Sequence, residues 1–316
     1  MQSSLDGGAE GDLVVGGSGD DTLTVGPGAD TLKGMNGDDQ LLARDGSSDT
    51  AINCDGGTTP GTADEAVLDP PPKDPDSVVR NCETKTRPYP YVALGDSLSA
   101  GLYASSPAKS FVGRLYSDYQ TSLGVNQLIN LGTSGATSSS LRNNGQLAAG
   151  VANIKASSDT KAVTIEVGAN DGFFGPCADH WAQPNVCPFR ANFRDILEEL
   201  HSALRGDPGV ERFTAMAYYN PANATIGGSQ AARERNLFGT NLKVGCSDSG
   251  ANVGLNDIVY QEAGRLAIPV ADPYPAFKQH GSAYISPRDP WRVHPNDAGH
   301  AAIARAFQNA TMRCRG

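Results

Sequence analysis

Tyr91-Val92-Ala93-Leu94-Gly95-Asp96-Ser97-Leu98-Ser99-Ala100-Gly101 decides the reading of this chain. Four apolar residues with no polar alternation read as a strand buried on both faces, which belongs in a parallel sheet. The strand stops at Gly-Asp-Ser, so a serine hydroxyl lands on a tight strand-to-helix turn. Backbone N–H groups at such a turn point at whatever the hydroxyl attacks, and a nucleophile and its oxyanion donors can arise together.

Three further blocks follow in order: Ser134-Gly135-Ala136-Thr137, Gly168-Ala169-Asn170-Asp171 and His294-Pro295. Between them strands and helices alternate. Strands are expected at Tyr91–Leu94, Gln127–Leu131, Ala162–Val167, Phe213–Tyr218 and Ile268–Asp272. Helices are expected at Ser110–Leu123, Leu141–Ala156, Asn192–Leu204, Gln230–Phe238, Leu255–Leu266 and Asp297–Asn309. Ile196, Leu197, Leu200 and Leu204 make an apolar stripe of helical period. This alternation predicts a parallel sheet with helices on both faces, with functional residues at the carboxyl ends of the strands. Ser97, Gly135, Asn170 and His294 fall at such positions or in the last loop.

The four blocks resemble the SGNH (GDSL-type) hydrolase family over residues 88–312. The resemblance implies a flavodoxin-like α/β fold for a domain spanning 88–316, and hydrolysis of carboxylic esters without a cofactor in the catalytic step. Carried onto this sequence, Ser97 is the nucleophile and His294 the base. The Ser97 N–H, the Gly135 N–H and the Asn170 side-chain amide form the oxyanion hole, with Gly132 a rival for Gly135. The family commonly places Asp three residues before the histidine, but that position here is Trp291. Two acceptors remain for the imidazole: the backbone carbonyl of Trp291, preferred for its spacing, and the carboxylate of Asp289. Phe173 and Phe174 are placed to line an acyl pocket or to fill core, and Asn220 to border the substrate. Asp171 is expected to order its loop.

Composition divides the chain. Residues 1–87 hold 17 of the 35 acidic and 6 of the 25 basic residues, a net of −11, so the overall charge of −10 belongs to this segment and the remainder is nearly neutral. That argues against nucleic acid as a partner and for a cation. The same segment has a period of nine. Asp12, Asp21, Asp30 and Asp39 fall on it, as do Val14, Leu23, Leu32 and Leu41. Gly16-Gly17-Ser18-Gly19-Asp20-Asp21-Thr22-Leu23-Thr24 matches the G-G-x-G-x-D-x-U-x pattern in full. This looks like the calcium-binding repeat of RTX proteins and implies a short parallel β-roll over residues 1–53. The four aspartates would supply hard oxygens to structural Ca²⁺. Residues 54–87, with Pro70-Pro71-Pro72 and Pro75, read as an irregular terminal unit and linker.

Six cysteines are expected to pair as Cys54–Cys82, Cys177–Cys187 and Cys246–Cys314. Disulfides imply an extracellular protein, although Met1-Gln2-Ser3-Ser4-Leu5-Asp6 carries no visible signal peptide. No transmembrane segment is expected, and the chain is expected to be a monomer. The leading expectation is a secreted esterase or lipase with an N-terminal calcium module. A carbohydrate acetyl esterase is the alternative within the class, and a non-enzymatic calcium-dependent adhesion protein is the alternative outside it.

Overall fold

The computed structural model describes residues 1–69, 73–74, 78–157, 159–173, 175–205, 212–239 and 253–312. They divide into one compact unit built on Met1–Pro90 and another from Tyr91 onward.

In the first unit the chain alternates between two parallel sheets. Its strands are β1 (Ser4–Asp6), β2 (Leu13–Ser18), β3 (Thr22–Thr24), β4 (Thr31–Gly37), β5 (Gln40–Leu42), β6 (Ala51–Pro60), β7 (Glu65–Val67), β8 (Val79–Arg80) and β9 (Thr84–Thr86). One sheet runs β1-β3-β5-β7-β9 and the other β2-β4-β6-β8. The register explains the period of nine. Leu5 pairs with Leu23, Leu23 with Leu41 and Leu41 with Ala66. Across the other sheet Val14 pairs with Leu32, Leu32 with Ile52 and Ile52 with Val79. One coil of about eighteen residues thus returns each apolar side chain beneath its equivalent, and these residues form the buried core. The roll does not end at residue 53. Residues 54–87, expected to be irregular, hold the rest of β6 together with β7, β8 and β9. A disulfide between Cys54 and Cys82 ties β6 to the segment between β8 and β9.

The second unit holds β10 (Pro90–Gly95), α1 (Phe111–Ser122), β11 (Gln127–Asn130), α2 (Ser138–Asn143), α3 (Gln146–Lys155), β12 (Ala162–Glu166), α4 (Ala169–Phe173) and α5 (Phe189–Arg205). It continues with β13 (Arg212–Met216), α6 (Gln230–Phe238), α7 (Leu255–Arg265), β14 (Val270–Ala271), α8 (Tyr274–His280) and α9 (Asp297–Gln308). The sheet order is β11-β10-β12-β13-β14, with β10, β12, β13 and β14 parallel. Counted in chain order that is 2-1-3-4-5, the flavodoxin-like doubly wound arrangement. Every residue of β10 and β12 is buried, as expected of central strands covered on both faces. Helices α1 and α9 pack together through stacked Phe111 and Phe307, while α5 packs with α2 and α7.

The expected helix Leu141–Ala156 is two helices. Thr137 and Ser140 form a reciprocal capping box that starts α2 early. Gly145, at φ +93°, then breaks the chain before α3. A second disulfide joins Cys177 to Cys187. The Cys246–Cys314 pairing lies outside the described residues. Among the described residues no helix is long and apolar enough to cross a membrane.

Candidate active site

The strand order reverses between β11-β10 and β10-β12, and side chains from the ends of β10 and β12 meet at this switch point. Gly95 closes β10 at φ +151°. A Cβ there would strike the Glu166 carbonyl and carboxylate oxygens and approach Ser99 Oγ to 2.5 Å, so only glycine fits. Gln146 holds this residue on both sides. Its Oε1 accepts the Gly95 N–H at 2.9 Å, and its Nε2 donates to the Gly95 carbonyl at 3.1 Å. Beyond it, Asp96 Oδ1 accepts the Leu98 N–H at 3.0 Å, fixing the turn that presents Ser97.

Ser97 Oγ lies 2.9 Å from His294 Nε2. His294 Nδ1 lies 2.8 Å from Asp289 Oδ2. The Trp291 carbonyl, the preferred orienter from spacing, is elsewhere: it accepts the Thr225 N–H at 2.9 Å. Asp289 reaches the ring because its loop curls back on itself. Arg292 sits at φ +55°, and Asp289 accepts the N–H groups of Trp291, Val293 and His294 at 2.8–3.0 Å. Burial pushes the Asp289 carboxyl up, but those three amides and the imidazole outweigh it and hold the group below its ordinary range. An ionised Asp289 can only accept. Nδ1 therefore carries the proton, and the Nε2 lone pair faces the serine hydroxyl.

A cavity of about 470 Å³ opens over this pair. Ser97, Gly135, Asn170, Phe173 and His294 all line it, so the four sequence blocks converge on one cleft. Gly132, the rival donor, has its N–H taken by Asn130 Oδ1 at 3.0 Å, whereas Gly135 turns at φ +81° at the cavity wall. Asn170 Nδ2 donates to the Ala136 carbonyl at 3.0 Å and lies 3.4 Å from Asp96 Oδ2. Asp171 orders the neighbouring loop by accepting the Ser138 N–H and hydroxyl at 2.8 and 2.6 Å. A second cavity of about 270 Å³ shares Ala169, Phe173, Tyr218, Tyr219 and Pro221 with the first, and adds Trp181 and Leu237. Asn220 lines only this second cavity, and its polar atoms are engaged by Gln230, Arg233 and Glu234. Phe174 lies outside the described residues. His300, six residues after the base, is fully buried; burial pulls it down to about 4, and its Nδ1 accepts the Phe111 N–H.

Beneath the nucleophile lies a network that the motifs do not signal. Glu166, at the end of β12, accepts the Asp96 and Ser99 N–H groups on Oε1 at 2.8 and 2.9 Å. The Tyr218 hydroxyl lies 2.6 Å from Glu166 Oε2 and 2.9 Å from Asp96 Oδ2. One phenol has one proton, so two carboxyls at this distance require one of them to donate. Burial pushes both carboxyls up, and Glu166, which also feels the charge of Asp96, goes well above the ordinary range; the extra proton is therefore placed on Glu166. Glu166 Oε2–H then donates to Tyr218, which donates to Asp96.

The first unit carries its own chemistry. Asp21, Asp30, Asp39 and Asp49 each use Oδ1 to accept an amide of the preceding coil, from Ser3, Asp12, Asp21 and Asp30 respectively. Their Oδ2 atoms are buried without a hydrogen-bond partner, as is that of Asp12. At Gly16 an added Cβ would meet Asp21 Oδ2 at 2.8 Å and the Gly34 carbonyl oxygen at 2.5 Å. Buried orphan carboxylate oxygens beside backbone carbonyls are a hard-cation donor set and fit Ca²⁺.

The sequence of residues 93–302 matches the model of the GDSL-like Lipase/Acylhydrolase family, and residues 5–47 match that of the RTX calcium-binding nonapeptide repeat. No curated protein matches the chain at a significant level. Among solved structures, the lipase Lip_vut3 from a goat rumen metagenome is 20% identical over 70% of this chain and 96% of its own, with a TM-score of 0.50. An extracellular lipase from Streptomyces rimosus is 19% identical over 70% of this chain and 99% of its own, at TM-score 0.45. An acetyl-xylooligosaccharide esterase from Geobacillus is 18% identical over 70% and 93%, at TM-score 0.44. Since the first family model spans more than half of the sequence and takes in all four blocks of the cleft, this chain belongs to the GDSL-like lipase/acylhydrolase family.

Proposed function

We propose that this protein is an extracellular serine hydrolase of carboxylic esters, in which Ser97 attacks and His294 carries the proton. The observation that carries the reading is the Ser97–His294–Asp289 chain, closed at 2.9 and 2.8 Å on the floor of an open cleft. His294 Nε2 takes the hydroxyl proton as Oγ bonds to the ester carbonyl carbon. The oxyanion is held by the Ser97 and Gly135 N–H groups and by Asn170 Nδ2, whose long contact to Asp96 yields to the better acceptor. Losing one such donor typically lowers turnover ~100–1000-fold. His294 returns the proton to the leaving alcohol. Water, deprotonated by the same ring, then releases the acid and restores Ser97. Asp289 fixes the tautomer and stabilises the imidazolium without taking its proton.

Phe173, Tyr219 and Trp291 line the cleft, and Trp181 and Leu237 line the neighbouring cavity. These apolar walls favour acyl chains longer than acetyl, in lipid or simple esters. Calcium is structural and is held by the aspartates of the repeats. The two disulfides and the repeats support an extracellular setting. A p-nitrophenyl ester series from acetyl to palmitoyl tests the reading. Hydrolysis by wild type, lost in Ser97→Ala, with a maximum beyond acetyl, is the expected result. A well-folded wild type that cleaves none of the series overturns it.

A further inference from the structure

We propose that Asp55, Asp64 and Glu83 form a calcium site at the C-terminal end of the roll, beyond the nonapeptide repeats. One carboxylate oxygen from each lies within 4.8 Å of the other two. Two oxygens bound at ~2.4 Å to a common Ca²⁺ are at most about that far apart. Each carboxylate also accepts a backbone amide, which fixes its position. Asp55 Oδ1 accepts the Gly61 N–H at 2.9 Å, Asp64 Oδ1 accepts the Asp39 N–H at 2.6 Å, and Glu83 Oε2 accepts the Asp64 N–H at 2.9 Å.

A second, separate observation points to a ligand. Asp64 is fully buried, and its Oδ2 has no hydrogen-bond partner. A buried carboxylate oxygen left unpaired costs free energy unless a cation or a proton meets it. The space beside it is held open. A Cβ at Gly61 would meet Asp64 Oδ2 at 2.6 Å and would collide with the Gly37 carbonyl oxygen. That carbonyl is a fourth hard donor. All the donors are oxygen, which suits calcium and not zinc.

The disulfide explains how a site arises here without the repeat pattern. Asp55 and Glu83 each directly follow one cysteine of the Cys54–Cys82 pair, whose Cα atoms are 5.2 Å apart. The cross-link brings these two carboxylates together before any ion arrives, so part of their ordering entropy is already lost. The choice of calcium rests on the calcium role proposed for the repeats; the location of the site does not.

Calcium titration of the full, oxidised chain by calorimetry, after chelation, tests the site. Asp55→Asn/Glu83→Gln keeps an oxygen for each backbone amide but removes two charges. It is expected to bind one ion fewer per chain, or to bind one ion at least tenfold more weakly, with the other ions unaffected. Asp21→Asn is expected to lose a different ion, and Cys54→Ala/Cys82→Ala to weaken the same ion as the double variant. Glu83 is exposed, so Glu83→Gln alone gives the reading if the double variant does not fold. If Asp21→Asn loses an ion while the charge-removing variants bind calcium as wild type does, this site falls and the repeats stand. If wild type binds no calcium, both fall.

Discussion

Asp289 shows how one residue changes the strength of a mechanism. A backbone carbonyl on Nδ1 would fix the imidazole tautomer but stabilise the imidazolium little; a buried, ionised carboxylate does both. Asp289→Asn is therefore expected to lower kcat by ~10³–10⁴, with KM within a few-fold, in steady-state kinetics on the best p-nitrophenyl ester. A variant retaining most of its kcat would restore the Trp291 carbonyl as orienter. Glu166 makes the opposite prediction, since its carboxyl acts here as a neutral donor and acceptor. Glu166→Gln reproduces both halves, with an amide oxygen for the Asp96 and Ser99 N–H groups and an NH₂ for Tyr218. It is expected to keep kcat within about tenfold and to leave the thermal midpoint nearly unchanged. Glu166→Ala leaves two buried N–H groups unpaired, at ~1–3 kcal/mol each, and is expected to lower both stability and kcat. Equal damage from both substitutions would show that the carboxyl is ionised.

At the scale of elements, the roll is expected to convert charge repulsion into calcium dependence. Burial, then the neighbouring charges of Asp64 and Asp21, push Asp39 up to about 6; burial, then Asp74, Asp45 and Asp30, push Asp49 up to about 8. Without metal, the folded roll holds protons that the unfolded chain releases near pH 4. A raised acid stabilises below its unfolded value, and that stability is lost as pH rises through the folded value. The chelated protein should therefore lose thermal stability from pH 5 to pH 8, while the calcium-loaded protein should not. Melting curves with excess EGTA or calcium at the two values check this; a gap between the curves that does not widen with pH would oppose it.

The elements also separate what the sequence encodes locally from what it does not. The buried run at Tyr91–Leu94, the α6 span and the first coils of the roll were legible because each is a local pattern. Residues 54–87 were not, because strands of two or three residues separated by insertions carry no countable period. Asp289 was missed as the preferred orienter because its position depends on a loop turning back at Arg292, which spacing does not encode. Glu166 and Tyr218 were missed because they meet only across neighbouring strands, with no motif of their own.

For the molecule as a whole, the proposed chemistry and the proposed cation binding sit in different units. Ser97, His294, Asp289 and Asn170 belong to the second, and both aspartate ladders to the first. Chelation at 25 °C is therefore expected to leave kcat within about twofold, while lowering the temperature of the first unfolding transition. In the converse experiment Ser97→Ala should abolish turnover and leave calcium stoichiometry intact. A large fall in kcat at a temperature where circular dichroism shows no unfolding would tie calcium to the reaction itself.

The ladder of amide-to-carboxylate bonds has uneven steps. It spans 18 residues from Asp12 to Asp30 and from Asp21 to Asp39, 19 from Asp30 to Asp49, then 25 from Asp39 to Asp64 and from Asp49 to Asp74. Each rung needs only a backbone amide and one carboxylate, so the residues between rungs are free to lengthen outside the stack. A roll of this kind can therefore accept insertions toward its C-terminal coils without losing its architecture. Homologues should accordingly vary in length by loops in this region while keeping the acidic residue of each rung.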